Sequence, residues 1–206
     1  MESTNVTRIS EQVTLRDGTR LTIRAIRPSD ATHLQSLHAR LSPESILLRF
    51  LGRPKELPCA EAERLANVDY RTRMAIVATS AQNGEEQVVG VARYETIQSS
   101  EPGVAEAAVV VEDRYQSLGL GTILLVRLVT CAREHGIHTF VATVYSENTR
   151  ILRLLQRSEL PTKVVSVDGG VMEIHVKLPP QFHRVPLSFP LARATSWNLF
   201  GLLGSY

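Results

Sequence analysis

The sequence predicts an α/β fold of three layers, α/β/α, on a mixed and largely antiparallel central sheet. Three observations carry this. Short β-rich runs fill 74–111, a strand hands a glycine-bearing loop to a helix at 109–121, and helix and strand then alternate toward a closing hairpin.

The elements follow in order. Residues 1–12 are polar and aperiodic and read as a flexible leader. Runs at 13–15 and 19–26 flank Asp17 and Gly18, a pair that tolerates the positive φ of a tight hairpin turn. Pro28, Ser29 and Asp30 supply helix-start chemistry before Leu34, Leu37 and Leu41 at helical spacing, and Ser42 with Pro43 starts a second helix. Pro54 and Pro58 break the chain ahead of a short helix at 60–66. Strands at 74–79, 88–97 and 104–111 form an antiparallel meander, with Asn83 and Gly84 as the first turn. A helix at 121–135 stops at Gly136, a strand covers 139–145 and a helix covers 148–157. Strands at 163–167 and 171–178 close on Asp168, Gly169 and Gly170. One domain, 13–178, accounts for all of these elements.

Composition excludes several classes. The chain of 206 residues is 43% hydrophobic and 21% charged, enough for one sizeable core. A formal net charge of +2 lacks the concentrated basic footprint of a nucleic-acid binder. Cys59 and Cys131 lack CxxC spacing and the start lacks an apolar signal core, which point to reduced thiols in the cytoplasm. No apolar run approaches the roughly 20 residues that span a bilayer. The pairs His33 with His38 and His135 with His138 lack an accompanying ligand set, so no metal is expected.

The chemistry concentrates in the run from Val109 to Gly121. Gly119 and Gly121 let backbone N–H groups approach a ligand, and the first-turn amides of Leu120, Gly121 and Thr122 with the helix dipole make an anion site suited to a pyrophosphate. A Rossmann fingerprint would have glycine where Leu124 stands, and a Walker loop would have Lys followed by Ser or Thr. Both are absent.

Gln116, Ser117, Leu118, Gly119, Leu120 and Gly121 form the pattern Gln-x-x-Gly-x-Gly. Between a strand and a helix it resembles motif A of the GNAT superfamily of N-acetyltransferases, and the order of elements is similar from 13 to 178. Asp17, Gly18, Arg24, Arg27 and Pro28, followed by Leu41, Ser42, Pro43, Glu44, Ser45, Arg49 and Phe50, look like the catalytic domain of bacterial Pat-type protein lysine acetyltransferases. The resemblance implies acetyl-CoA as cosubstrate, an amine acceptor that is a protein lysine or a small molecule, and Asn148 near the coenzyme. There are departures. Leu118 stands where the family often has Arg or Lys, Ser117 replaces a common glycine, and Leu155 takes the place of a tyrosine general acid.

A lysine arrives protonated, since its ordinary pKa is about 10.4, so attack requires a base. Glu106 is an acid in a run of Ala and Val, and it resembles the glutamate on the corresponding strand of lysine-acetylating members. Desolvation by its apolar neighbours would strengthen it as a base. A backbone N–H among Ala108, Val109 and Val110 would stabilise the oxyanion, with Tyr145 or solvent returning a proton.

Other residues have plainer expected roles. Glu112 and Asp113 read as a solvated turn, because near phosphates they would repel. Arg150, Arg153 and Arg157 form a helical row that faces solvent, an acidic partner or the coenzyme's 3′-phosphate. The tail, 179–206, carries Pro186, Pro190, Trp197 and Phe200, and would dock on its own domain or on a second subunit as a homodimer. Two further readings stand beside an enzyme: a degenerate coenzyme sensor, and an interaction module built on the tail.

Overall fold

The computed structural model describes residues 10–82, 84–98 and 101–179. The tail's expected docking lies outside these residues, as do Asn83 and the first nine residues of the expected leader. Residues 10–12 of that leader are not frayed. Strand β1 (Ser10–Thr14) starts there and pairs antiparallel with β2 (Arg20–Ala25) from Ser10↔Arg24 to Thr14↔Arg20. Ladder hydrogen bonds with β2 supply the order that apolar periodicity in 1–12 does not announce. The turn is the expected one: Gly18 has φ +88° and the Thr19 amide donates to Asp17 Oδ1 at 3.0 Å.

After β2 come α1 (Ala31–Arg40), α2 (Pro43–Phe50) and α3 (Cys59–Ala66). Ser42 caps α2 by accepting from the Ser45 amide at 3.2 Å, with Pro43 in the first turn. The meander is β3 (Arg73–Gln82), β4 (Glu85–Thr96) and β5 (Val104–Val111). Helix α4 (Leu120–Glu134), strand β6 (Thr139–Tyr145), helix α5 (Thr149–Ser158) and the hairpin β7 (Thr162–Asp168) with β8 (Val171–Lys177) complete the chain.

The eight strands form one sheet in the order β1-β2-β3-β4-β5-β6-β8-β7. Only β5 and β6 run parallel, joined by the α4 crossover, so the sheet is mixed and largely antiparallel as the sequence predicts. Period-two alternation divides β3 between two cores. Met74, Ile76 and Ala78 pack toward α4 and α5, while Ala75 and Val77 pack toward α1 and α3. In β4 the register slips opposite Ala78 and Thr79, which leaves Val89 and Gly90 on the α4 side. A Cβ on Gly90 would lie 3.1 Å from Leu124, so the bulge and close helix packing both favour glycine there.

Candidate active site

The site begins with a ladder that stops. β5 pairs with β4 from Ala105 to Val111, but with β6 only through Val104, Ala105 and Glu106. Beyond Glu106 the two parallel strands diverge into a wedge. At one end of the β4–β5 ladder Ile97 N donates to Val104 O, and at the other Glu112 N donates to Val89 O. Even-numbered residues of β5 therefore bond to β4; the Ala107 N–H completes the last rung with Val141 of β6, and beyond it the N–H groups of Val109 and Val111 face the wedge. Of the three expected oxyanion donors, only Val109 qualifies. The amides of Ala108 and Val110 are turned to β4 by the same alternation.

A cavity of about 260 Å³ occupies the wedge, lined by Glu106, Ala107, Ala108 and Val109 on one side and Ala142, Thr143 and Val144 on the other. A second cavity, about 370 Å³, continues from Val109, Val110 and Val111 past Gln116, Ser117, Gly119, Gly121 and Thr122. Val109, Asn148 and Arg49 line both. The two spaces thus form a path from the loop to Glu106.

The loop between β5 and α4 is held in an unusual shape. Ser117 and Gly119 have φ of +62° and +97°, and Gly119 is the N-cap of α4, its carbonyl accepting from Ile123 N at 3.2 Å. A Cβ on Gly119 would meet only Arg16 at 3.9 Å, so backbone conformation rather than crowding selects glycine. At Gly121 a Cβ would make ordinary contact with Leu154, 3.7 Å away. Leu118 and Leu120 pack their side chains on the core and line neither cavity, so either can meet a ligand only through its backbone.

Side chains brace this loop. Gln116 Nε2 donates to Val111 O at 2.9 Å and to Ser45 Oγ at 3.0 Å. Glu112 and Asp113 are not a solvated turn. Glu112 is 5% exposed and paired with Arg40 at 2.9 Å and Arg114 at 2.6 Å, while Asp113 accepts from Ser42 N, Ser42 Oγ and Ser45 Oγ at 2.7–2.9 Å. Arg40 and Arg114 pair the Glu112 carboxylate, and Ser42 and Ser45 supply hydrogen-bond donors to Asp113; Arg40, Ser42 and Ser45 come from about 70 residues away, which local sequence does not disclose. Burial raises the Asp113 pKa, but the Ser42 and Ser45 donors outweigh it and hold the carboxyl below the usual range.

Glu106 lies where expected along β5, at the last rung before the wedge, yet its side chain is exposed. The desolvation expected from its apolar sequence neighbours is absent, because Ala105 and Ala107 point to the opposite face. Asn148 caps α5: its Oδ1 accepts from Ile151 N at 3.1 Å, leaving Nδ2 outside the cap. Tyr145 donates to Leu51 O at 3.5 Å and lines neither cavity; Leu155 lines the wedge. Arg150, Arg153 and Arg157 line the larger cavity rather than only a solvated face. Arg16 joins them, a residue that no motif marks; only its place beside the Asp17 turn ties it to the site. Among the described residues no cluster of His, Cys, Asp or Glu is arranged to hold a metal ion, and no helix is long and apolar enough to cross a membrane.

The family model described as the acetyltransferase (GNAT) family matches residues 45–158. The chain belongs to that family. An acetyltransferase of Pseudomonas aeruginosa is 38% identical over 122 residues, 59% of this chain and 64% of that one. The acetyltransferase Pat of Mycolicibacterium smegmatis is 29% identical over 168 residues, 82% of this chain and 49% of that one. This GNAT chain thus spans about half to two thirds of these relatives' length. The solved GNAT domain of S. lividans PAT has a TM-score of 0.74 at 27% identity, covering 86% of this chain and 100% of that domain.

Proposed function

We propose that this chain is an acetyl-CoA-dependent N-acetyltransferase whose acceptor is the amine of a protein lysine. The observation that carries the proposal is the wedge itself. The Val109 N–H has no sheet partner on the β6 side, and it stands between the glycine loop and Glu106.

The residues fit the coenzyme by charge and shape. The diphosphate lies against the backbone of residues 117–122 at the positive end of α4, with Arg16 above Gly119 and the α5 arginines along the far wall. The pantetheine then follows β5 into the wedge, pairing with the backbone that β6 abandons. Glu106 takes the ammonium proton directly or through water, and the amine attacks the thioester carbonyl. The Val109 N–H stabilises the oxyanion, and such a donor is typically worth about 10² to 10³ in rate. Collapse expels the thiolate, which solvent reprotonates, since Tyr145 is turned to Leu51 and Leu155 carries no proton.

The resemblance of Ser42, Pro43, Glu44, Ser45, Arg49 and Phe50 to Pat-type protein lysine acetyltransferases, together with 29% identity to Pat over 82% of this chain, supports the protein-lysine acceptor. The small volume of the wedge, about 260 Å³, favours a second reading, a small-molecule amine. Thiol release from acetyl-CoA, measured against protein, peptide and amine panels, tests both. Tight acetyl-CoA binding without turnover on any acceptor would leave a coenzyme sensor instead.

A further inference from the structure

Behind the wedge lies a third cavity, about 40 Å³, lined by His38, Arg49, Phe50, Arg93 and Ala108 among others. It shares Arg49, Phe50 and Ala108 with the wedge cavity. Glu106 and Ala108 of β5 and Arg93 and Glu95 of β4 fall on one face of the sheet, the face covered by α1–α3. The positive charge there is poorly matched. Arg64 is taken by Glu61 at 2.8 Å and Glu95 at 3.2 Å, and Arg73 approaches Glu95 at 3.6 Å. Arg93 is 8% exposed and, among the described residues, Nη2 meets only a carbonyl oxygen, that of Leu65, at 3.2 Å. Arg49 rests on the Phe50 ring at 5.1 Å, and no hydrogen-bond acceptor among the described residues reaches its guanidinium. His38, 3% exposed, leaves Nε2 without a partner among the described residues.

Guanidinium groups stay charged in proteins, and a buried cation without an anionic partner is costly. Burial lowers the Arg49 pKa while the nearby Glu106 charge opposes it; burial, then the Arg49 charge, push Arg93 down to about 10. Arg93 is thus a buried cation without a carboxylate partner among the described residues, and half-buried Arg49 has the Glu106 charge nearby but no hydrogen-bonded one. We propose that the acceptor supplies it: its amine meets Glu106, and a carboxylate close to that amine is bound by Arg49 where the wedge joins the small cavity, with Arg93 and His38 behind. This rests on the N-acetyltransferase reading and narrows its acceptor. The carboxylate comes either from an acidic residue beside a lysine in a protein or from a free amino acid. At about 260 Å³ the wedge falls below the roughly 300–1,000 Å³ of drug-sized pockets, which suits an acceptor whose amine and carboxylate are close together.

The test compares acceptors that differ only in the carboxylate: lysine peptides with Asp or Glu beside the lysine against Asn or Gln, and L-amino acids against their amides. Thiol release gives kcat/KM for each pair, and the carboxylate member is expected to lead by about tenfold or more. Arg49→Gln brings the ratio near one through KM, and Arg49→Lys, which keeps the charge but not the planar fork, retains part of it. Circular dichroism verifies that both variants fold. A preference confined to peptides assigns the carboxylate to a protein acceptor, and one confined to amino acids assigns it to a small molecule. Turnover with a flat ratio in the wild type, or an unchanged ratio in folded Arg49→Gln, overturns the inference and spares the enzyme. Failure of the wild type to bind acetyl-CoA in calorimetry overturns both.

Discussion

Ser45 Oγ donates to Asp113 Oδ1 across 2.8 Å and accepts from Gln116 Nε2 at 3.0 Å, so the stretch from Asp113 to Gln116 that follows β5 is tied to the start of α2. Ser42 adds two donors to the same carboxylate. Asp113→Asn should destabilise the protein by about 2 kcal/mol, the scale of hydrogen bonds to a charged group, measured by urea unfolding at neutral pH. The sign with pH follows from a carboxyl held below its ordinary value. Its stabilisation is present above the unfolded pKa, about 4, and is lost as pH falls through the folded one. The gap between wild type and Asp113→Asn should therefore close on acidification; a gap that widened there would contradict the assignment.

Gly119 holds φ +97° in open space, so two substitutions separate its two roles. Gly119→Ala should cost about 1 to 2 kcal/mol of stability for the left-handed conformation. Gly119→Glu should add bulk and charge where the diphosphate approaches and remove acetyl-CoA binding from a folded protein. Undiminished affinity in calorimetry would mean that the coenzyme does not use this loop.

The order of elements was legible because strands and helices here differ in period, and Gln-x-x-Gly-x-Gly marks the loop locally. Three parts were not. Strand β1 begins at Ser10 with exposed and half-buried residues, so nothing apolar announces it; β2 does the ordering. Glu112 and Asp113 look like a solvated acidic turn until Arg40, Ser42 and Ser45 arrive from some 70 residues away. Which of Ala108, Val109 and Val110 offers a free N–H depends on ladder parity, which a run of Ala and Val does not encode. Glu106 was legible as an anomaly, whereas its exposure depends on how far α1–α3 extend over their face of β5, which local sequence does not encode.

Glu106→Gln keeps the shape of β5 and removes the base. General-base catalysis is typically worth ~10² to 10⁴ in rate, and kcat should fall by about that factor. Acetyl-CoA affinity should hardly change, because Glu106 lines the wedge and not the larger cavity. Single-turnover measurements must establish that chemistry limits both proteins. Near-normal turnover of the variant at neutral pH would transfer the base to another group or to solvent.

Arg16 sits in the β1–β2 turn, its amide 3.4 Å from Leu118 O and its Nε 3.9 Å from where a Gly119 side chain would begin. Leu118 packs on the core, so the loop itself carries no cation at that position. The neighbouring hairpin supplies one instead, lining the larger cavity together with Arg150, Arg153 and Arg157. Arg16→Gln should weaken acetyl-CoA by about tenfold, the loss of one charge-assisted contact to phosphate. Because the residue is exposed, added salt screens its charge, and the wild-type advantage should shrink as ionic strength rises. Dephospho-CoA locates the contact: an equal loss for CoA with and without its 3′-phosphate places Arg16 on the diphosphate. A loss seen only with the 3′-phosphate present would move Arg16 to that group, and no loss at all would remove it from the site.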